Sequence, residues 1–233
     1  MIKRHKFISY ILTGVICISV CGGVLAIWAT SPGSISVSTD PRAIYSGSSE
    51  TSVALMFNVY SGEQFIPEIM EVLSDKGASA TFFIGGCWAE KHVDLMSEIA
   101  ESGYEIGSHG YLHRDHSQMS YDGNLEEMKA AHGLLRSITG EDVKLFAPPS
   151  GAYSQNTLDA AEDMGYVTVL WSKDTIDWRD HDVDTIVNRA TKDLKAGDMI
   201  LMHPTEATAM ALPQILDGID AEGLKAECVS EVL

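Results

Sequence analysis

The sequence predicts an α/β protein, a distorted barrel of the (β/α)7 type preceded by one N-terminal transmembrane helix. Three observations predict it. Short apolar runs alternate with stretches of helical spacing over most of the chain, and strands separated by helices pair in parallel through right-handed crossovers. A long uncharged apolar segment stands before the first of these units. Residues of catalytic type also fall just after the predicted strands, where β/α barrels gather their active sites.

The first element is the apolar run from Phe7 to Ala29, preceded by Lys3, Arg4 and Lys6. It exceeds the 7–15 residues or so of a cleaved signal's apolar core and meets the roughly 20 residues needed to span a bilayer. Trp28 also spoils the small-residue pair around Ala26 and Ala29, and Val20 before Cys21 weakens a lipoprotein signal. Residues 1–30 therefore read as a signal anchor with its basic end cytoplasmic, which places a single-pass protein in the cell membrane with its domain outside. Residues 31–50, rich in Ser, Gly, Thr and Pro, read as a flexible linker. Residues 51–233 form the domain.

Within the domain, strands are expected at Thr51–Val59, Ala80–Ile84, Tyr104–Gly107, Val143–Phe146, Val167–Trp171, Met199–Met202 and Leu224–Val229. Helices are expected between them at Phe65–Lys76, Glu90–Ser102, Tyr121–Thr139, Gln155–Met164, Val183–Leu194 and Ala209–Glu222.

Composition excludes some functions. Three of the 16 Lys and Arg precede the apolar run and all 33 Asp and Glu follow it, so the exported part is more acidic than the formal −17 of the whole chain. Such a charge repels nucleic acid, which is not expected as a partner, and anionic lipid. Of the four cysteines, Cys17 and Cys21 lie in the apolar run. Cys87 and Cys228 remain; an oxidising compartment permits their pairing, and two buried free thiols are the favoured reading.

The predicted strand ends converge on one rim: Asn58 and Tyr60, then His109 and His113, then Ala147, Pro148 and Pro149, then Asp174, Asp177 and Trp178, then His203. On one helical turn, His109 and His113 present both imidazoles to one point, a pair that suits a divalent transition metal wanting a third ligand and an open position. Alone they read equally as solvated loop histidines, and His203 on the same rim favours a site. His203 suits a general acid or a satisfied core residue. Asp177 suits a partner that orients and charges it, or part of a loop capping the next helix. The Pro148-Pro149 pair also ends a strand and stiffens a turn.

Six segments, taken in order, resemble the polysaccharide deacetylases of carbohydrate esterase family 4 (the NodB-homology domain), in particular the branch associated with spore-forming bacteria. They are Ala54 to Val59, Ala80 to Phe83, Glu105 to His113, Leu145 to Gly151, Trp171 to Trp178 and Ile200 to Pro204. The resemblance implies His109 and His113 as ligands of a divalent metal (zinc, cobalt or nickel), His203 as the acid that protonates the leaving amine, and Asp177 as its partner. It makes Trp178 and Met202 walls of the acetyl pocket, with Pro149 and Tyr60 beside the substrate.

Three positions depart from the family pattern. Asn58 stands where the general base is expected, Val59 where a carboxylate ligand is expected, and Ala147 where an arginine braces the base. An amide does not take a proton from water at neutral pH, and valine binds no metal. The resemblance implies metal-dependent removal of N-acetyl groups, at carbon–nitrogen bonds outside peptides, from cell-wall or spore-wall polysaccharide. Glu63, Asp115 and Asp174 are candidate replacement carboxylates and His116 a candidate third ligand. The alternative is a retired enzyme that binds glycan or acts as a scaffold without turnover.

Overall fold

The computed structural model describes residues 40–233, which form one compact unit. The apolar run Phe7–Ala29 lies outside the described residues, and among those described no helix is long and apolar enough to cross a membrane.

Among the described residues there are nine strands: β1 Ala43–Ile44, β2 Ser52–Val59, β3 Thr81–Ile84, β4 Glu105–Ser108, β5 Leu145–Phe146, β6 Val167–Val169, β7 Lys173–Asp174, β8 Met199–Met202 and β9 Lys225–Glu227. The helices are α1 Ile66–Lys76, α2 Gly86–Ala89, α3 Val93–Glu101, α4 Tyr121–Thr139, α5 Gln155–Asp163, α6 Val183–Thr191, α7 Glu206–Ala221 and α8 Val229–Val232. Every ladder between them is parallel. The strand order is β1-β6-β5-β4-β3-β2-β8-β7, with β9 added beside β2.

That order fits the expected distorted barrel of parallel β/α units in a curled, half-barrel form, since among the described residues no ladder joins β1 to β7. The cause lies between β6 and β7. Only Leu170, Trp171 and Ser172 connect them, too few for a crossover helix, so β7 pairs with β8 instead of extending β6.

Residues 40–50 are likewise part of the folded domain rather than of a linker. Ala43 and Ile44 pair with Thr168 and Val169. Arg42 is bound by Asp40 at 3.0 Å, Asp159 at 2.9 Å and Glu162 at 3.0 Å. Ser46 bridges Asp198 just before β8.

Strand alternation sorts the core into two layers. Along β2, Val53, Leu55, Phe57 and Val59 face the helices and join the larger cluster with α1, α4 and α7. Ala54 and Met56 face the hollow of the sheet, with Phe83, Leu145, Ala147, Val169 and Met199, and Val229 and Val232 of α8 pack against them. The space is tight at Gly107 of β4, where a Cβ would sit 2.3 Å from the Phe83 ring. Helix starts follow their caps. The Ser120 hydroxyl accepts from Gly123, the Asp182 carboxylate from Thr185 and the Thr205 hydroxyl from Thr208. Thr205 is why α7 starts at Glu206 rather than at Ala209.

Candidate functional site

At the C-terminal ends of β2, β4, β7 and β8 lies a cavity of about 510 Å³. Its lining includes Asn58 near the end of β2 and Tyr60 just past it, His109 and His113 past β4, and His203 past β8. The three imidazoles expected on one rim thus share one cleft. Trp178 and Asp174 line it from the β7 side, and Ser150, Trp171 and Leu201 complete its walls.

His109 and His113 do not sit on a helical turn. The chain between them is a loop with Gly110 at φ 72° and His113 at φ 55°, both left-handed. The loop is held from below by Glu127, a buried carboxylate on α4 that accepts from the Tyr111 and Leu112 amides, each at 2.9 Å. The two imidazoles meet edge to face with centroids 5.1 Å apart. His109 Nδ1 lies 2.8 Å from the Ala147 carbonyl oxygen, so that nitrogen donates and Nε2 keeps its lone pair. Burial, reinforced by His113, brings the His109 pKa down to about 3. Burial also lowers His113, with His203 pushing the same way. Both rings are neutral at pH 7.

On the other side, Asp177 is fully buried and faces His203. Its Oδ1 lies 2.8 Å from His203 Nδ1, while Oδ2 accepts from the His203 amide at 2.6 Å and from the Thr208 hydroxyl at 2.5 Å. Three donors thus converge on one buried carboxyl group. It fixes the His203 ring with Nδ1 inward. The loop that carries Asp177 is held by Arg189 of α6, which donates to the Thr175 carbonyl at 3.0 Å and to Asp180 at 2.6 Å. Glu127, Thr208 and Arg189 were not anticipated from sequence. A carboxylate on the inner face of a helical stretch and the Thr-x-x-Thr start of α7 were the only signals for the first two.

The base side is built differently. Asn58 is 4% exposed and its Oδ1 is buried without a hydrogen-bond partner. Val59 is buried among the helix-facing hydrophobics, and Ala147 is buried in the inner cluster. Met202 is also displaced from its expected place on the pocket wall. It sits one residue out of phase, buried in the helix-facing core, and Leu201 takes the wall position. Pro149 is buried behind Ser150, which is the residue of that turn on the cavity.

The candidate replacements are mostly elsewhere. Asp115 caps the short turn at Ser117, and Glu63 faces His92 at 4.0 Å. His116 is buried, bound to Asn124 Oδ1 at 2.6 Å and stacked edgewise on Phe146. Only Asp174 reaches the cavity, and its Oδ1 is engaged by the Ile176 amide at 2.8 Å. Among the described residues no group of three or more His, Cys, Asp or Glu could hold a metal. Two neutral imidazoles without a carboxylate do not fit the three-ligand set of a catalytic zinc, cobalt or nickel. Cys87 and Cys228 are free and only partly buried.

Residues 46–169 match the family model described as polysaccharide deacetylase. The uncharacterized protein YlxY of Bacillus subtilis is 33% identical over 84% of this chain, which spans 62% of that relative's length. A peptidoglycan-N-acetylglucosamine deacetylase of Bacillus cereus is 31% identical, covering 79% of this chain and 89% of its own. Among solved structures, a CE4 family pseudoenzyme from Bacillus anthracis superposes with a TM-score of 0.81 at 30% identity, over 83% of this chain and 69% of that one. A mutant of the same pseudoenzyme is described as having restored enzymatic activity.

Proposed function

This chain belongs to the polysaccharide deacetylase family, hydrolases of carbon–nitrogen bonds, and from that premise we propose that it binds N-acetylated cell-wall glycan in its cavity without hydrolysing it. The observation that carries the reading is the buried amide of Asn58, its Oδ1 without a partner, standing where the family pattern calls for a base. Hydrolysis of an acetamide needs a group that takes a proton from the attacking water, and an amide does not. No metal step is invoked, because the donor set lacks a third ligand. The basic and apolar N-terminal residues support a membrane anchor that holds the domain outside the cell.

A second reading keeps the enzyme. The Asp177–His203 pair is complete, and Asp174 lies on the cavity. A carboxylate there would serve as base, with His203 delivering the proton to the leaving amine.

Full-length protein in detergent separates the two. The binding reading expects calorimetric affinity for N-acetylglucosamine oligomers, no release of acetate, and no zinc, cobalt or nickel retained after dialysis. Acetate release abolished by His203→Ala would establish the enzyme instead. In the triple variant Asn58→Asp, Val59→Asp, Ala147→Arg, metal uptake is the expected gain. Its absence would mean that the carboxylate at position 59 cannot turn from the helix-facing side into the cleft.

A further inference from the structure

Residues 40–46 run along the open edge of the half-barrel and are held there largely by polar ties. Their ladder to the sheet is two residues long, Ala43 and Ile44 against Thr168 and Val169. The Leu170 amide then donates to the Ile44 carbonyl at 2.7 Å. Arg42 fastens the segment to α5, its Nη1 donating to Asp159 Oδ1 at 2.9 Å and to Glu162 Oε2 at 3.0 Å, while Nε and Nη2 hold Asp40. The Tyr45 and Tyr153 hydroxyls meet at 3.1 Å. Among residues 40–46 only Ala43 is buried, and none belongs to the large helix-facing core. Ion pairs between partly exposed side chains contribute little one by one, and a segment with few buried contacts opens locally at far lower cost than the domain unfolds. The segment is therefore separable from the rest of the fold.

It is nonetheless in contact with the cavity wall. Ala43 packs with Leu158 of α5 and with Leu170 in a small cluster of its own, against which Tyr45, Tyr153 and Trp171 rest. Trp171 also lines the cavity, as does Ser150. The indole is closely packed at the turn that bears Ser150, since a Cβ on Gly151 would stand 2.9 Å from its Cη2. Trp171 thus touches both that turn and the cluster that Ala43 completes. Chain order tightens the link, because Leu170, bonded to the Ile44 carbonyl, is the residue just before Trp171. Packed walls shift between discrete arrangements rather than yielding continuously, so loss of one face of the packing moves the indole as a unit.

We propose that residues 40–46 are a releasable strap, with Arg42 as its catch, whose docking holds Trp171 in the cavity wall, so that displacement of the chain at Asp40 reshapes the cavity. The segment that leads into the domain is thereby coupled to the site. The coupling holds for any occupant of the cavity.

Amide hydrogen exchange and fluorine NMR test it on full-length protein in detergent labelled with 5-fluorotryptophan, with Trp171→Phe assigning the indole signal. In the parent chain the Leu170 amide is expected to exchange faster than the protected amides of β2. Arg42→Gln is expected to accelerate Leu170 by about a further tenfold and to shift the Trp171 signal. The β2 amides and the signal of Trp88, buried in the helix-facing core, are expected to stay unchanged. Asp159→Asn together with Glu162→Gln removes the catch from the α5 side and is expected to act in the same way. Unchanged Leu170 exchange in either variant overturns the catch. Faster Leu170 exchange with a stationary Trp171 signal overturns the coupling to the cavity. Equal acceleration of the β2 amides, or Leu170 exchange as slow as theirs in the parent, overturns the independence of the strap.

Discussion

Replacement of Thr208 by Val tests the support of the buried carboxylate, together with the 2.8 Å contact between the Thr205 and Thr208 hydroxyls. Thr208 is fully buried on α7 and donates its hydroxyl to Asp177 Oδ2 at 2.5 Å. Valine keeps the shape and removes the donor, leaving Oδ2 with the His203 amide alone. A hydrogen bond to a charged group contributes about 1.5–3 kcal/mol. For a folded unit of this size, roughly 2–4 °C of melting temperature goes with each kcal/mol. Thr208→Val should therefore melt about 3–12 °C below the parent chain, and Thr208→Ser, which keeps the hydroxyl, by much less. The assay is thermal unfolding at pH 7 followed by circular dichroism. A fall of less than about 1 °C in Thr208→Val, or an equal fall in Thr208→Ser, would refute the view that Asp177 depends on this donor.

Asn58→Asp and Ala147→Arg should be coupled. Each alone places an unpaired charge in a buried position at a cost on the order of 3–5 kcal/mol, while together they compensate; a double-mutant cycle by urea unfolding that sums the two costs would exclude pairing. Gly107→Ala should destabilise by about 1–3 kcal/mol, because the new Cβ meets the Phe83 ring. Unchanged urea unfolding would show that the ring moves freely. The pH dependence follows from Asp180, whose carboxyl is held far below its usual range by Arg179 and then by Arg189. A depressed folded-state pKa adds stability that is fully present above the unfolded value of about 3.9 and is lost as pH falls below it. Arg189→Gln should flatten the acid limb of a plot of urea midpoint against pH, and an unaltered slope would dismiss the ion pair.

Most of the sheet was legible because strands buried on both faces are continuous apolar runs, as in Val53 to Phe57 and Met199 to Met202. The two elements at the edges were not. β7 is the polar pair Lys173–Asp174, and β1 hides in a Ser- and Thr-rich stretch, held by Arg42 to residues more than a hundred positions away. Without those edges the distorted barrel was legible in kind, but the gap between β1 and β7 was not. The place of Met202 was recoverable in principle. If His203 faces the cleft, alternation puts Leu201 beside it and Met202 behind. The loop conformation of His109 to His113 was not recoverable, because it depends on Glu127 accepting two amides across the domain.

The two halves of the site have separate supports, and this explains how one can be reduced while the other stays intact. Every donor to Asp177 among the described residues comes from His203 or from Thr208 of α7, and the loop bearing Asp177 is braced by Arg189 of α6. None comes from β2, β4 or β5, so loss of a carboxylate at position 58 leaves no donor there unsatisfied. On the base side the dependence is mutual. A buried charge at 58 needs a cation or a metal, and a buried arginine at 147 needs that charge in return. With Asn58 and Ala147 both neutral the pair is stable, and reversion of either alone is disfavoured. The remaining defect, the unpartnered Asn58 Oδ1, is a single hydrogen bond left unmade, a smaller cost than an unpaired ion. A neutral base side beside an intact Asp177–His203 pair is therefore a resting state that single substitutions do not easily leave.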